Sequence, residues 1–111
     1  MLRIALLALA LVALPALAKP VAVDGDTLRA KHARIRLANV CAAEHGEPGF
    51  AEAKARLQSI IDRASSIYFD CSHQDRYGRL VCKLYADSRL VVQSDIGPLA
   101  GRATSLCLKA R

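Results

Sequence analysis

Residues 21–37 read Val-Ala-Val-Asp-Gly-Asp-Thr-Leu-Arg-Ala-Lys-His-Ala-Arg-Ile-Arg-Leu. A short apolar run, Val21 to Val23, enters Asp24-Gly25-Asp26. Glycine permits a sharp bend there, and aspartate favours turns by bonding its own backbone. Thr27-Leu28-Arg29-Ala30 leaves the turn as a second strand. After the polar break Lys31-His32, Ala33 to Leu37 alternates with a period of two. That is the pattern of a half-buried strand, with Ile35 and Leu37 on the core side and Arg34 and Arg36 on the other. On its own, Asp24-Gly25-Asp26 reads as a solvated hairpin turn. The competing reading sends one or both carboxylates into a shared site.

Beyond this stretch, Asn39 to Gly49 carries few helix or strand signals and reads as a loop. Phe50, Ala53, Leu57, Ile60, Ile61 and Ala64 recur at three- and four-residue steps, which predicts a core-packing helix over 50–64. Ile67-Tyr68-Phe69 reads as a strand, Cys71 to Gly78 as a polar connection, and Leu80 to Tyr85 as a further strand. Ala86 to Arg89 looks like a turn, and Leu90-Val91-Val92 resumes an apolar run. Gly97-Pro98 interrupts any helix there, and residues 99–111 are expected to form a short tail helix held by Cys107. The chain has no internal repeat or low-complexity tract. The order predicts a mainly β fold with helix (α+β): a five-stranded OB-type barrel, one main helix and a short C-terminal helix or tail.

Met1 to Ala18 has one early charge, Arg3, then an apolar run and the small-residue ending Ala16-Leu17-Ala18. That is the layout of a secretory signal peptide with cleavage after Ala18. Its apolar run is short against the roughly 20 residues of a bilayer span. The expected mature chain, residues 19–111, is one small domain that is periplasmic or secreted, with no membrane span and monomeric. Loss of Arg3 lowers the formal charge of the 111-residue chain from +6 to +5. Such a basic domain suits an anionic partner, a nucleic acid or an acidic polysaccharide.

Four cysteines remain, Cys41, Cys71, Cys82 and Cys107. Behind a leader an even count reads as disulfides, and no pair has the Cys-x-x-Cys spacing of a zinc site. Three pairings are open. Cys71 with Cys82 is favoured because the two flank a turn segment, which leaves Cys41 with Cys107. His32, His45 and His73 are scattered, without ligand spacing.

Three elements now stand in order: Asp24-Gly25-Asp26-Thr27, Ile35-Arg36-Leu37 leading to Glu44, and Asp75-Arg76-Tyr77-Gly78-Arg79. Together, over about Val23 to Tyr85, they resemble the staphylococcal nuclease (thermonuclease) family. The resemblance implies an OB-type barrel and calcium-assisted hydrolysis of phosphodiester bonds in DNA or RNA. It implies Asp26 as a calcium ligand, with the backbone carbonyl of Ala42 as another. Arg36 and Arg79 would clamp the scissile phosphate, Glu44 would position or deprotonate the attacking water, and Tyr77 would help place the substrate. The residue types suit the chemistry: calcium takes hard oxygens, arginine offers phosphate a charged fork, and a carboxylate orients water. The chain departs from the family pattern in the metal loop. Cys41 stands where the family has its second calcium-binding Asp, Ala42 where it has Thr, and Ala43 where it has Pro. Losing that carboxylate weakens a calcium cage. The alternative is therefore a catalytically weak or inactive module on the same scaffold, binding nucleic acid or an anionic envelope polysaccharide.

Overall fold

The computed structural model describes residues 19–98 and Cys107. Its elements are β1 (Val21–Ala22), β2 (Thr27–Ala30), β3 (Ala33–Leu37), α1 (Phe50–Arg63), β4 (Ile67–Gln74), β5 (Leu80–Ala86), β6 (Arg89–Leu90) and α2 (Gln93–Ile96). They form a small, mainly β domain. One sheet runs β1-β2-β3-β5-β4, with β6 paired to β5. Strands β3 and β5 run parallel, Arg36 opposite Val81, and the remaining pairs are antiparallel.

Two expectations change. The sheet has six strands rather than five, because Arg89–Leu90 turns back onto β5 through Tyr85 and Ala86. Among the described residues it is open, with β1 and β4 as its ends, rather than a closed barrel. Strand β4 also outruns its aromatic start. Cys71, His73 and Gln74 pair with Cys82, Val81 and Leu80, with a register shift between Cys71 and His73. Backbone bonding carries the strand through residues whose side chains stay in solvent. The leader and the tail helix lie outside the described residues, apart from Cys107.

The strands predicted over 27–30 and 33–37 form with those bounds. Their alternation sends Leu28, Ile35 and Leu37 inward, where Ala53, Leu57 and Ile61 of α1 and Leu84 of β5 meet them. Each large aliphatic side chain buried there contributes about 1.5–3 kcal/mol. Helix α1 starts after Gly49, whose φ of 87° suits glycine. At its other end the Ala64 N–H reaches the Ile60 and Ile61 carbonyls. The Lys19 ammonium donates to the carbonyls of Ile61, Asp62 and Ala64 at 3.0–3.2 Å. A cation there answers both the unpaired carbonyls and the negative end of the helix dipole.

Cys71 bonds Cys82 directly across β4 and β5, and Cys41 bonds Cys107. These are the two pairings expected from the sequence. Disulfides of this kind belong to oxidising compartments. No helix of the described residues is long and apolar enough to cross a membrane.

Gly25 owes its place to packing more than to bending. It is buried, and a Cβ built on it would lie 2.5 Å from the Ala42 Cβ, 2.7 Å from the Ala53 Cβ and 3.0 Å from the Ile96 Cγ2. The turn therefore docks edge-on against α1, the 38–43 loop and α2. Gly25→Ala should cost roughly 1–3 kcal/mol by overpacking. Adding Ala42→Gly should recover part of that loss. Urea unfolding of the three proteins checks both statements.

Candidate functional site

The turn between β1 and β2 and the strand β3 bring Asp26 and Arg36 together. Arg36 Nη1 lies 2.6 Å from Asp26 Oδ2, and both side chains are almost entirely buried. The same Nη1 also donates to the carbonyls of Asp26 at 3.1 Å and Val40 at 3.3 Å, while Nη2 faces Cys107 Sγ at 3.9 Å. Asp26 Oδ2 accepts a second bond from the Ala42 N–H at 2.8 Å, and Oδ1 accepts from the Thr27 hydroxyl at 3.2 Å. Arg36 thus sits on the strand face that alternation assigns to solvent, yet it is 7% exposed. The 38–43 loop and the Cys41–Cys107 bridge lie over it. Burial pulls its guanidinium below the ordinary arginine value, and Asp26 opposes that. From so high a start the group stays ionised.

Gln93, at the start of α2, fixes Cys41 from both sides. The Cys41 N–H donates to Gln93 Oε1 at 2.8 Å, and Gln93 Nε2 donates to the Cys41 and Gly97 carbonyls at 2.7 Å. Gln93 was not legible as part of this site. Nothing local marks it, and its partner lies 52 residues away.

Asp24 is half-buried and its Oδ1 accepts the Asp26 N–H at 2.9 Å. Burial, a hydrogen bond to Asp26 and the charge of Asp26 push its carboxyl up to about 7. The folded state therefore holds a proton that the unfolded chain has released between about pH 4 and 7. Stability contributed by this group is present at low pH and falls as pH rises through that window. Above it the charged Asp24 costs about 1–2 kcal/mol once solvent screening is allowed for. Asp24→Asn should raise the melting temperature at pH 8 and change it little at pH 4, as scanning calorimetry would read.

The second cluster is the turn from β4 to β5. The Asp75 carboxylate accepts the N–H groups of Tyr77 and Arg79 at 2.9 Å and pairs with Arg79 Nε at 2.8 Å. Desolvation alone would raise its carboxyl; the N–H donors and the Arg79 guanidinium reverse that and hold it below the usual carboxylate range. Tyr77 is 59% exposed. The guanidinium carbons of Arg76 and Arg79 lie 5.0 and 5.4 Å from its ring centre, within cation–π range. Arg34 Nη2 donates to the Tyr77 carbonyl at 3.2 Å, tying the turn to β3. Parallel pairing of β3 with β5 carries Arg79 towards Arg36, and the charge of Arg79 acts on the Arg36 guanidinium.

Glu44 stands apart. It is exposed, in a turn where its N–H donates to Glu47 Oε1 and its carbonyl accepts the Glu47 N–H. No described hydrogen bond or ion pair joins its carboxylate to Asp26, Arg36 or Arg79. Of the residues singled out in the sequence, Asp26, Arg36 and Ala42 meet directly, with Arg79 and Tyr77 on the neighbouring turn.

The residues present do not suit calcium. The ion takes six to eight oxygens. Asp26 Oδ2 is already shared by a guanidinium and an N–H, and what Ala42 turns to it is that N–H. Cys41 is in a disulfide, and among the described residues no three of His, Cys, Asp and Glu converge as a ligand set. Compared with known proteins, the chain matches no family model and no curated protein.

Proposed function

We propose that the domain is an exported OB-type module that binds nucleic acid through Tyr77 and the guanidinium groups around it. The observation that carries this reading is the exposed Tyr77 ring beneath Arg76 and Arg79, with Arg34 holding its backbone. Unstacked bases pack on aromatic rings and guanidinium planes, and the same cations pair with phosphate. The strand order β1-β2-β3-β5-β4, with β3 and β5 parallel, supports an OB-type barrel that is left open between β1 and β4. The two disulfides accord with export.

Calcium-assisted hydrolysis, the activity of thermonucleases, is the second reading. What favours it is that Arg36 and Arg79 are held near enough to repel each other, an arrangement that an anion between them would relieve. Binding without turnover fits the geometry better. Asp26 is spent on Arg36, Arg36 is covered, and Glu44 faces solvent elsewhere.

Fluorescence anisotropy of a labelled single-stranded oligonucleotide with the oxidised mature protein tests this. Three phosphate contacts predict a slope of about −2 in log affinity against log salt, at roughly 0.7 per contact. Tyr77→Ala should weaken binding about tenfold, within the 1–3 kcal/mol of a base stack. The oligonucleotide should stay intact with calcium or with chelator. Calcium-dependent cleavage that disappears in Glu44→Gln would replace the binding reading with the hydrolytic one.

A further inference from the structure

A cavity of about 290 Å³ lies between the last turn of α1, the β5–β6 turn and α2. It shares no residue with the Asp26–Arg36 pair or the Tyr77 turn. Its floor is apolar: Ile60 and Ala64 from α1, Leu90 from β6. Ile60 and Leu90 are half-buried there and Ala64 fully buried. The size is at the lower end of small-molecule pockets, and an apolar body with a few placed polar groups is their usual make-up.

The charges around the rim are unequal in what they lack. Asp95 is matched: it accepts the Val92 N–H at 2.8 Å and pairs with Arg89 at 3.2 Å. Asp87 accepts the N–H groups of Ser65 and Ser66, both at 2.9 Å. Arg63 differs. Its Nε donates to the Ser59 carbonyl at 3.3 Å, which orients the guanidinium, and no carboxylate of the described residues pairs with it. An anionic head with an apolar body answers both parts at once. The head pairs with the guanidinium fork and the body covers Ile60 and Leu90.

We infer that this cavity is a binding site for a small aliphatic monocarboxylate, held by Arg63 and the floor formed by Ile60, Ala64 and Leu90. A neutral or cationic head on the same body forgoes the one rim cation that pairs with no carboxylate of the described residues. The site is independent of nucleic acid, and both occupants can be held at once.

Octanoate is the probe, titrated into the oxidised mature protein and followed by amide chemical shifts. Saturable shifts are expected at Ile60, Ala64 and Leu90, with those of Tyr77 unmoved. Arg63→Gln should weaken the affinity about tenfold, the loss of one charged hydrogen bond. Leu90→Trp, which fills the space, should abolish the shifts while the rest of the spectrum keeps its dispersion. Octylammonium should give no saturable shift at the same positions. The inference fails if octanoate shifts do not saturate, if octylammonium reproduces them, or if Arg63→Gln binds octanoate as tightly as the parent.

Discussion

Asp26→Asn is expected to destabilise the domain by about 3–5 kcal/mol, the usual cost of orphaning a buried ionic partner. The asparagine keeps the shape and one oxygen for the Ala42 N–H, so the loss isolates the charge. Arg36, 7% exposed, would be left with carbonyl oxygens and no directly paired carboxylate. An arginine cannot shed its proton to escape. The Asp26 charge also helps push the Asp24 carboxyl up, so its removal relieves the cost of ionised Asp24, and the deficit should be smaller at pH 8 than at pH 5. Arg36→Met removes the guanidinium and leaves the Asp26 carboxylate with the Ala42 N–H and the Thr27 hydroxyl. The double variant Asp26→Asn with Arg36→Met should lose less than the two single losses added, because the residues touch. With total stabilities of about 5–15 kcal/mol for ordinary domains, Asp26→Asn alone is expected to lower the melting temperature on the order of 20 °C. A loss under about 1 kcal/mol would show that the pair is hydrated in solution and contributes as little as surface ion pairs do.

The second large effect concerns the bridge over that pair. Cys41 and Cys107 are 66 residues apart, whereas Cys71 and Cys82 are 11 apart. Loop-closure entropy then assigns about 4 kcal/mol to the long bridge and about 3 kcal/mol to the short one. Cys41→Ser with Cys107→Ser should therefore be the more damaging replacement of the two pairs. It has a second signature as well. Arg36 Nη2 faces Cys107 Sγ, so removing the bridge should speed solvent exchange of the guanidinium protons of Arg36. Replacing the short bridge should leave that exchange slow. Equal exchange in both double variants would mean that the bridge is not what covers Arg36.

How much of this was legible depends on distance along the chain. Strands β2 and β3 were readable to the residue because Leu28, Ile35 and Leu37 alternate with polar neighbours, a local signal. Helix α1 was readable from Ala53, Leu57 and Ile61 at helical spacing. The far half of β4 was not, since Ser72, His73 and Gln74 carry no apolar signal and are held by backbone pairing to β5. Gly25 was recognised as a turn residue, but its tight approach to Ala42, Ala53 and Ile96 depends on three other segments. Arg36 shows the limit most clearly. Alternation places it on the solvent side of β3, and only the return of the 38–43 loop and of Cys107 buries it. The motif residues Asp26 and Arg36 were found in sequence as neighbours of a bound ligand; the fold makes them neighbours of each other.

Lys19 has a consequence for how the protein wears. If a leader is removed after Ala18, the first residue left behind is one whose side chain already grips the end of α1, more than 40 positions along. An aminopeptidase digesting from that end would find no loose thread to pull. Clipping Lys19 requires the end of the helix to give up its cation first, so nibbling of the folded domain should start elsewhere.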